Sequence, residues 1–125
     1  MPNPAMNSSP LRFFVEEELQ CASRLDSLGH SRIAFRHLER AHVLGQHSTI
    51  EHVRVHGRML GWAWRQRDRR EIAGQLLRIV GAAAKTALGL VPTGNTGGSN
   101  VSPFCRLPIP RDLQRVIDAT GARRQ

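Results

Sequence analysis

A chain of 125 residues is long enough for one domain with a true interior and too short for several. Its 40% hydrophobic and 22% charged residues exclude a disordered chain, and the lack of tyrosine with only 5% aromatics points to an aliphatic, helical core. The formal charge of +8 is carried almost wholly by arginine, Lys85 being the sole lysine, a balance that suits phosphate or another anionic surface as well as simple solubility.

Residues 1–8 read as a flexible N-terminus, and the opening MPNPAMNSSPLRFF, residues 1–14, has no basic region followed by an apolar run, so no secretory signal is expected. A four-helix domain follows over residues 9–90. Ser9 with Pro10 caps a first helix to about Leu28, with Phe14, Glu18, Cys21, Leu25 and Leu28 on one face, and Gly29 ends it. Ser31 opens a second helix, carrying Ala34, Leu38 and Ala41 and closed by Gly45. Ser48 starts a third with the capping-box pattern STIE, in which Glu51 is the expected partner of Ser48, and it runs to about Gln66. Asp68 caps a fourth, with Ile72, Ala73, Leu76, Leu77, Val80, Ala83 and Ala84 as its apolar positions, ending near Leu90 before Pro92. The apolar run IAGQLLRIVGAAAKTALGLV is broken by Arg78, Lys85 and three glycines, so it reads as a buried core helix and not a membrane span. Residues 91–118, rich in Gly, Pro, Asn and Ser but apolar at Val101, Phe104, Leu107 and Ile109, are expected to form an extended strap packed on the helices. Residues 119–125 form a flexible tail.

A shift of about 39 residues superposes Phe14 on Val53, Cys21 on Leu60, Leu25 on Trp64 and Leu38 on Leu77, which predicts an all-α fold of two stacked antiparallel helical hairpins. AFRHLERA resembles the second helix of a tetratricopeptide repeat, and WAWRQRDRREIAGQLL the junction between that repeat's helices. The likeness implies architecture alone.

The histidines carry the functional signal, because four of the six lie between Leu38 and His56. At about 100° per residue, His42 falls about 40° from Leu38 on the second helix, inside its apolar arc, with Glu39 at the rim on the same side. On the third helix His52, His56, Met59 and Ala63 make one stripe. His42 and His52 each stand about one turn from the connecting loop, and Glu39 and His56 one turn deeper, so an E-x-x-H pair is expected opposite an H-x-x-x-H pair. The repeat register places Glu17 where His56 stands in the second unit, which makes Glu17 a further candidate ligand. Neutral imidazoles with carboxylates suit Zn²⁺, Fe²⁺, Mn²⁺ or Cu²⁺. His30 and His47 lie in turns and His37 on the outer rim, so they are expected to be solvated or capping. If Gly94 to Asn100 folds back over the hairpin mouth, Asn95 and Asn100 are candidates to hydrogen-bond the outer nitrogens of ligating histidines; otherwise the segment only buries Val101, Phe104 and Ile109 against the helices.

The ordered motifs HLERAHVLGQ, HVRVH and GLVPTGNTGGSNVSPF with LPIPRDL resemble a family of small bacterial proteins known as a domain of unknown function. The resemblance spans Phe14 to Leu113. It implies that Glu17, Leu38 to His42, His52 with His56, and Gly94 to Asn100 are pattern positions; Cys105 departs from the pattern. No activity comes with it.

The expectation from the sequence is therefore a small cytoplasmic protein binding a transition metal through His42, His52, His56, Glu17 and Glu39, for catalysis or metal handling. Two other readings compete. Stacked hairpins with an exposed Trp62 fit a protein-binding module or a homodimer. Arg54, Arg58, Arg65, Arg67, Arg69 and Arg70 have the charge for nucleic acid, but without interleaved aromatics or a recognition-helix motif nucleic acid is the weaker partner. The two cysteines, Cys21 and Cys105, are far apart and signal neither zinc ribbon nor disulfide framework. GNTGGSN lacks the G-K-[ST] ending of a phosphate loop.

Overall fold

In a computed structural model, residues 10–87, Gly98 and residues 106–121 are described, without the side chains of residues 82–87. They form five helices and no strand: α1 (Pro10–Ser27), α2 (Ser31–Gly45), α3 (Thr49–Gln66), α4 (Arg69–Ala87) and α5 (Arg111–Thr120). The main packing partners are α1 with α2 and α3 with α4, joined through α2 and α3, while α5 lies against α1 and α2. No helix among the described residues is long and apolar enough to cross a membrane.

The turns follow local chemistry. Gly29, at φ +84°, ends α1: its N–H donates to Asp26 O and that of His30 to Leu25 O, which satisfies carbonyls the last turn would otherwise leave bare. Asp68 caps α4 by accepting the Glu71 N–H at 3.0 Å. Gly45 does not close α2 through a left-handed conformation. A Cβ at Gly45 would meet the backbone of Glu51 at 3.3 Å, so glycine is used there for close approach of α2 to the first turn of α3. The capping box expected at Ser48 does not form; Ser48 makes no side-chain cap, and Glu51 is buried and paired with Arg54 and Arg12.

The first helix turns a different face inward from the one its pattern suggested. Leu11, Val15, Leu19 and Ala22 are buried, and Leu28 is exposed. These join Leu38, Ala41, Val43, Leu44, Val55, Met59, Leu113 and Ile117 in one core. The buried faces of α1 and α3 correspond one residue further along than the expected register, with Leu11 on Glu51, Val15 on Val55 and Leu19 on Met59. In α4, Leu76, Leu77 and Val80 are exposed, and among its described side chains those buried are Glu71 and Gln75. Leu76, Leu77 and Val80 are therefore not the core positions expected of them.

The strap is corrected in part. Arg111–Thr120 is helical, with Pro110 as its N-cap residue, Asp112 in its first turn, Leu113 and Ile117 one turn apart on the buried side and Gly121 at φ +68° as its left-handed stop. These signals outweighed the Gly/Pro-rich composition upstream. Arg40 of α2 pins this helix by its ion pair with Asp112 while also bonding Glu18 of α1 at 2.9 Å.

Left-handed backbone supplies a paired test. Arg67 ends α3 at φ 57°, an arrangement that costs an L-residue about 1–2 kcal/mol. Arg67→Gly is expected to raise stability by up to about 1 kcal/mol, and Gly29→Ala to lower it by about 1 kcal/mol, in urea denaturation.

Candidate metal centre

Three helices build the site. Leu38, Ala41 and His42 share the buried side of α2, while His52, Val55, His56 and Met59 share that of α3. The spacing of four between His52 and His56 stacks their rings one turn apart. Gly45 allows the close approach of α2 to α3 near the helix ends that carry His42 and His52.

The three rings meet at their Nε2 atoms. His42 Nε2 is 2.9 Å from His52 Nε2 and 3.1 Å from His56 Nε2, and the ring centroids are 4.7 to 4.9 Å apart. All three residues are buried, at 2%, 5% and 2% exposure. Among the described residues these three form a group that could hold a metal ion, each offering one nitrogen. With metal–nitrogen bonds of about 2.0–2.1 Å, ligand nitrogens lie about 2.9 Å apart at right angles and about 3.3 Å apart in a tetrahedron. The two spacings from His42 thus meet the first geometry and lie a few tenths of an ångström from the second, and all three nitrogens lie within 4.8 Å of one another.

The proton positions follow from the outer contacts. His56 Nδ1 lies 2.6 Å from Gln75 Oε1, and Gln75 Nε2 donates to Glu71 Oε1 at 2.6 Å. An amide oxygen only accepts, so His56 carries its proton on Nδ1 and turns the Nε2 lone pair toward the other two rings. In the metal-free protein His42 Nε2 is then the donor to His56. Burial pushes the pKa of His56 down to about 4, with the Arg78 charge acting in the same direction and the Gln75 contact opposing them. The ring is accordingly neutral at physiological pH, the form a metal requires.

The remaining expected residues lie elsewhere. Glu17 is exposed on α1, two residues beyond Val15 and two before Leu19, which puts it about 200° from the buried face. Glu39 is half-buried and lines a groove of about 490 Å³ with Arg36, Arg40, Val43, Leu107, Pro110 and Leu113. Neither belongs to the three-residue group. Asn95, Asn100 and Cys105 lie outside the described residues. His37, expected to be solvated or capping, has its Nδ1 2.7 Å from a carboxylate oxygen of Glu18. Sequence reasoning missed Gln75 and Glu71; their spacing of four, following the cap at Asp68, was the available signal, but an uncharged Gln in an apolar run draws no attention.

Part of the surface behind the competing readings is engaged in packing, while Arg67, Arg69 and Arg70 are exposed. Trp62 is half-buried, not exposed; its Nε1–H donates to Ser31 O at 3.0 Å and its ring lies 4.4 Å from Phe35. Trp64 is the exposed tryptophan. Arg54 pairs with Glu16 and Glu51, Arg58 bonds Ser23, and Arg65 pairs with Asp26, so this arc of α3 is tied largely to α1.

Fold and site together define a small all-helical protein with a buried cluster of three imidazoles suited to a metal ion. The chain belongs to the family described as protein of unknown function (DUF3703), whose model matches residues 9–117. Comparisons with curated proteins and with solved structures returned no match.

The depressed His56 pKa fixes a pH dependence for the metal-free protein. Between about 6.5 and about 4 the unfolded chain binds a proton at this residue and the folded chain does not. Stability is therefore fully present above about pH 6.5 and falls as pH drops toward 4, by a loss on the order of 2–3 kcal/mol. Denaturation in chelator at pH 7.5 and pH 4.5 is expected to show this loss, and His56→Leu to reduce it.

Proposed function

We propose that the protein binds a divalent transition-metal ion through the Nε2 atoms of His42, His52 and His56. The observation that carries the reading is the meeting of three buried imidazole nitrogens from two helices. Burying one imidazole needs one set of partners, whereas three with their Nε2 atoms turned together is the arrangement a metal ion satisfies once His42 gives up its Nε2 proton.

An all-nitrogen set of neutral ligands favours Zn²⁺, Cu²⁺ or a neighbouring late transition metal over Mn²⁺, Mg²⁺ and Ca²⁺. Three protein ligands leave a position for water or a small exogenous ligand, and neutral donors leave the ion's full charge in place. When bound, such an ion would supply Lewis-acid chemistry at that position. The chain's own contribution is to hold three rings buried and converging, with His56 neutral and oriented by Gln75. Metal handling and metal-dependent catalysis both follow from such a centre, and the histidines are the residues each would share.

Protein purified without a histidine tag, stripped with chelator and dialysed against Zn²⁺ or Co²⁺ is expected to retain the ion stoichiometrically. His52→Ala with His56→Ala should abolish retention. Metal at about a hundredfold above its Kd should stabilise the wild type by about 2.7 kcal/mol and leave the double variant unchanged. Equal retention by wild type and double variant in elemental analysis would sink the proposal.

A further inference from the structure

The α4 helix presents an anomaly that the three histidines do not by themselves explain. It leaves Leu76, Leu77 and Val80 exposed, yet Gln75 is 0% exposed and Glu71 is buried one turn before it. A fully buried carboxamide is tolerated only when its oxygen and its nitrogen both find partners. Here the oxygen faces His56 Nδ1 and the nitrogen faces the Glu71 carboxyl, each at 2.6 Å.

We propose that Glu71 and Gln75 are positioning residues for the metal centre, a two-residue relay that locks His56 in the Nδ1–H form and so commits its Nε2 lone pair to the ion. This rests on the metal-binding reading. The direction of the relay is set at the Glu71 end. A carboxylate oxygen accepts hydrogen bonds, so it draws the amide NH₂ of Gln75 toward itself and leaves only the amide oxygen for the imidazole. Turning the amide over would set oxygen against oxygen at Glu71 and offer NH₂ to Nδ1, forcing the proton onto Nε2, where it would occupy the position of the metal. Glu71 is in turn anchored through its backbone N–H, held by Asp68 Oδ1 at the start of α4. The unit parallels the carboxylate–histidine–metal arrangement, with a glutamine interposed to bridge from α3 to the first turns of α4.

The relay is distinguished from simple packing by His56 itself. In the metal-free protein, long-range ¹⁵N–¹H correlation spectra should show His56 as a single Nδ1–H tautomer, and Co²⁺ competition titrations should report its readiness to bind. Gln75→Leu is expected to mix the tautomers and weaken Co²⁺ binding by about 10–100-fold. Glu71→Gln retains the size and hydrogen bonding of the side chain and keeps the test decisive if Gln75→Leu does not fold. It lets the Gln75 amide turn, so the second tautomer should appear and affinity should fall several-fold. Wild-type protein that takes up no Co²⁺ overturns the metal reading and the relay with it. Wild-type uptake with unaltered tautomer and affinity in folded Gln75→Leu or Glu71→Gln leaves the metal reading standing and overturns the relay alone.

Discussion

Three buried imidazoles have to satisfy six ring nitrogens away from water, and the helices around them are arranged accordingly. Desolvating a polar nitrogen without a partner costs about 1–3 kcal/mol, so a cluster of this kind is tolerated only where its members bond one another or a neighbour. Here the inner nitrogens meet one another and the outer nitrogen of His56 finds Gln75. The requirement explains why α2 closes on α3 at a glycine and why α4 buries a glutamine where an aliphatic residue would pack more simply.

The polar framework outside the core serves the same arrangement. Glu18 accepts from Arg40 and contacts His37, and Arg40 also grips Asp112, so one carboxylate ties α1 to α2 and, through arginine, to α5. On the other side, Arg54, Arg58 and Arg65 of α3 reach α1 at Glu16, Ser23 and Asp26. Surface pairs of this sort contribute little individually, about 0–1 kcal/mol, but several along one helix fix its rotation. The rotation of α3 decides whether His52 and His56 point inward. Arg40, Arg54, Arg58 and Arg65 are thereby engaged in helix-to-helix contacts.

The convergence of His42, His52 and His56 was legible because helical geometry is periodic and the loop between the two helices is short. Angle and height follow from residue number once the helix boundaries are known, and Gly45 and Ser48 marked the boundaries well enough. Glu17 was misplaced for a related reason. A repeat register uncertain by one residue turns a helix by about 100°, and that suffices to carry a side chain from interior to solvent. The α5 helix had its own signals, with Leu113 and Ile117 at helical spacing and Gly121 as its stop, but the Gly/Pro-rich composition before it obscured them.

By itself, then, the sequence determined the helical class, the positions of the turns and the three imidazoles that share a centre, because each depends on interactions within one helix or across one short loop. Tertiary structure decided which face of α1 is inside, that α4 offers Gln75 and Glu71 in place of leucines, and that Trp62 packs while Trp64 does not. Those outcomes depend on how whole helices rotate against one another. That rotation is set by summed packing and ion pairing between distant segments, and no local pattern of residues encodes it.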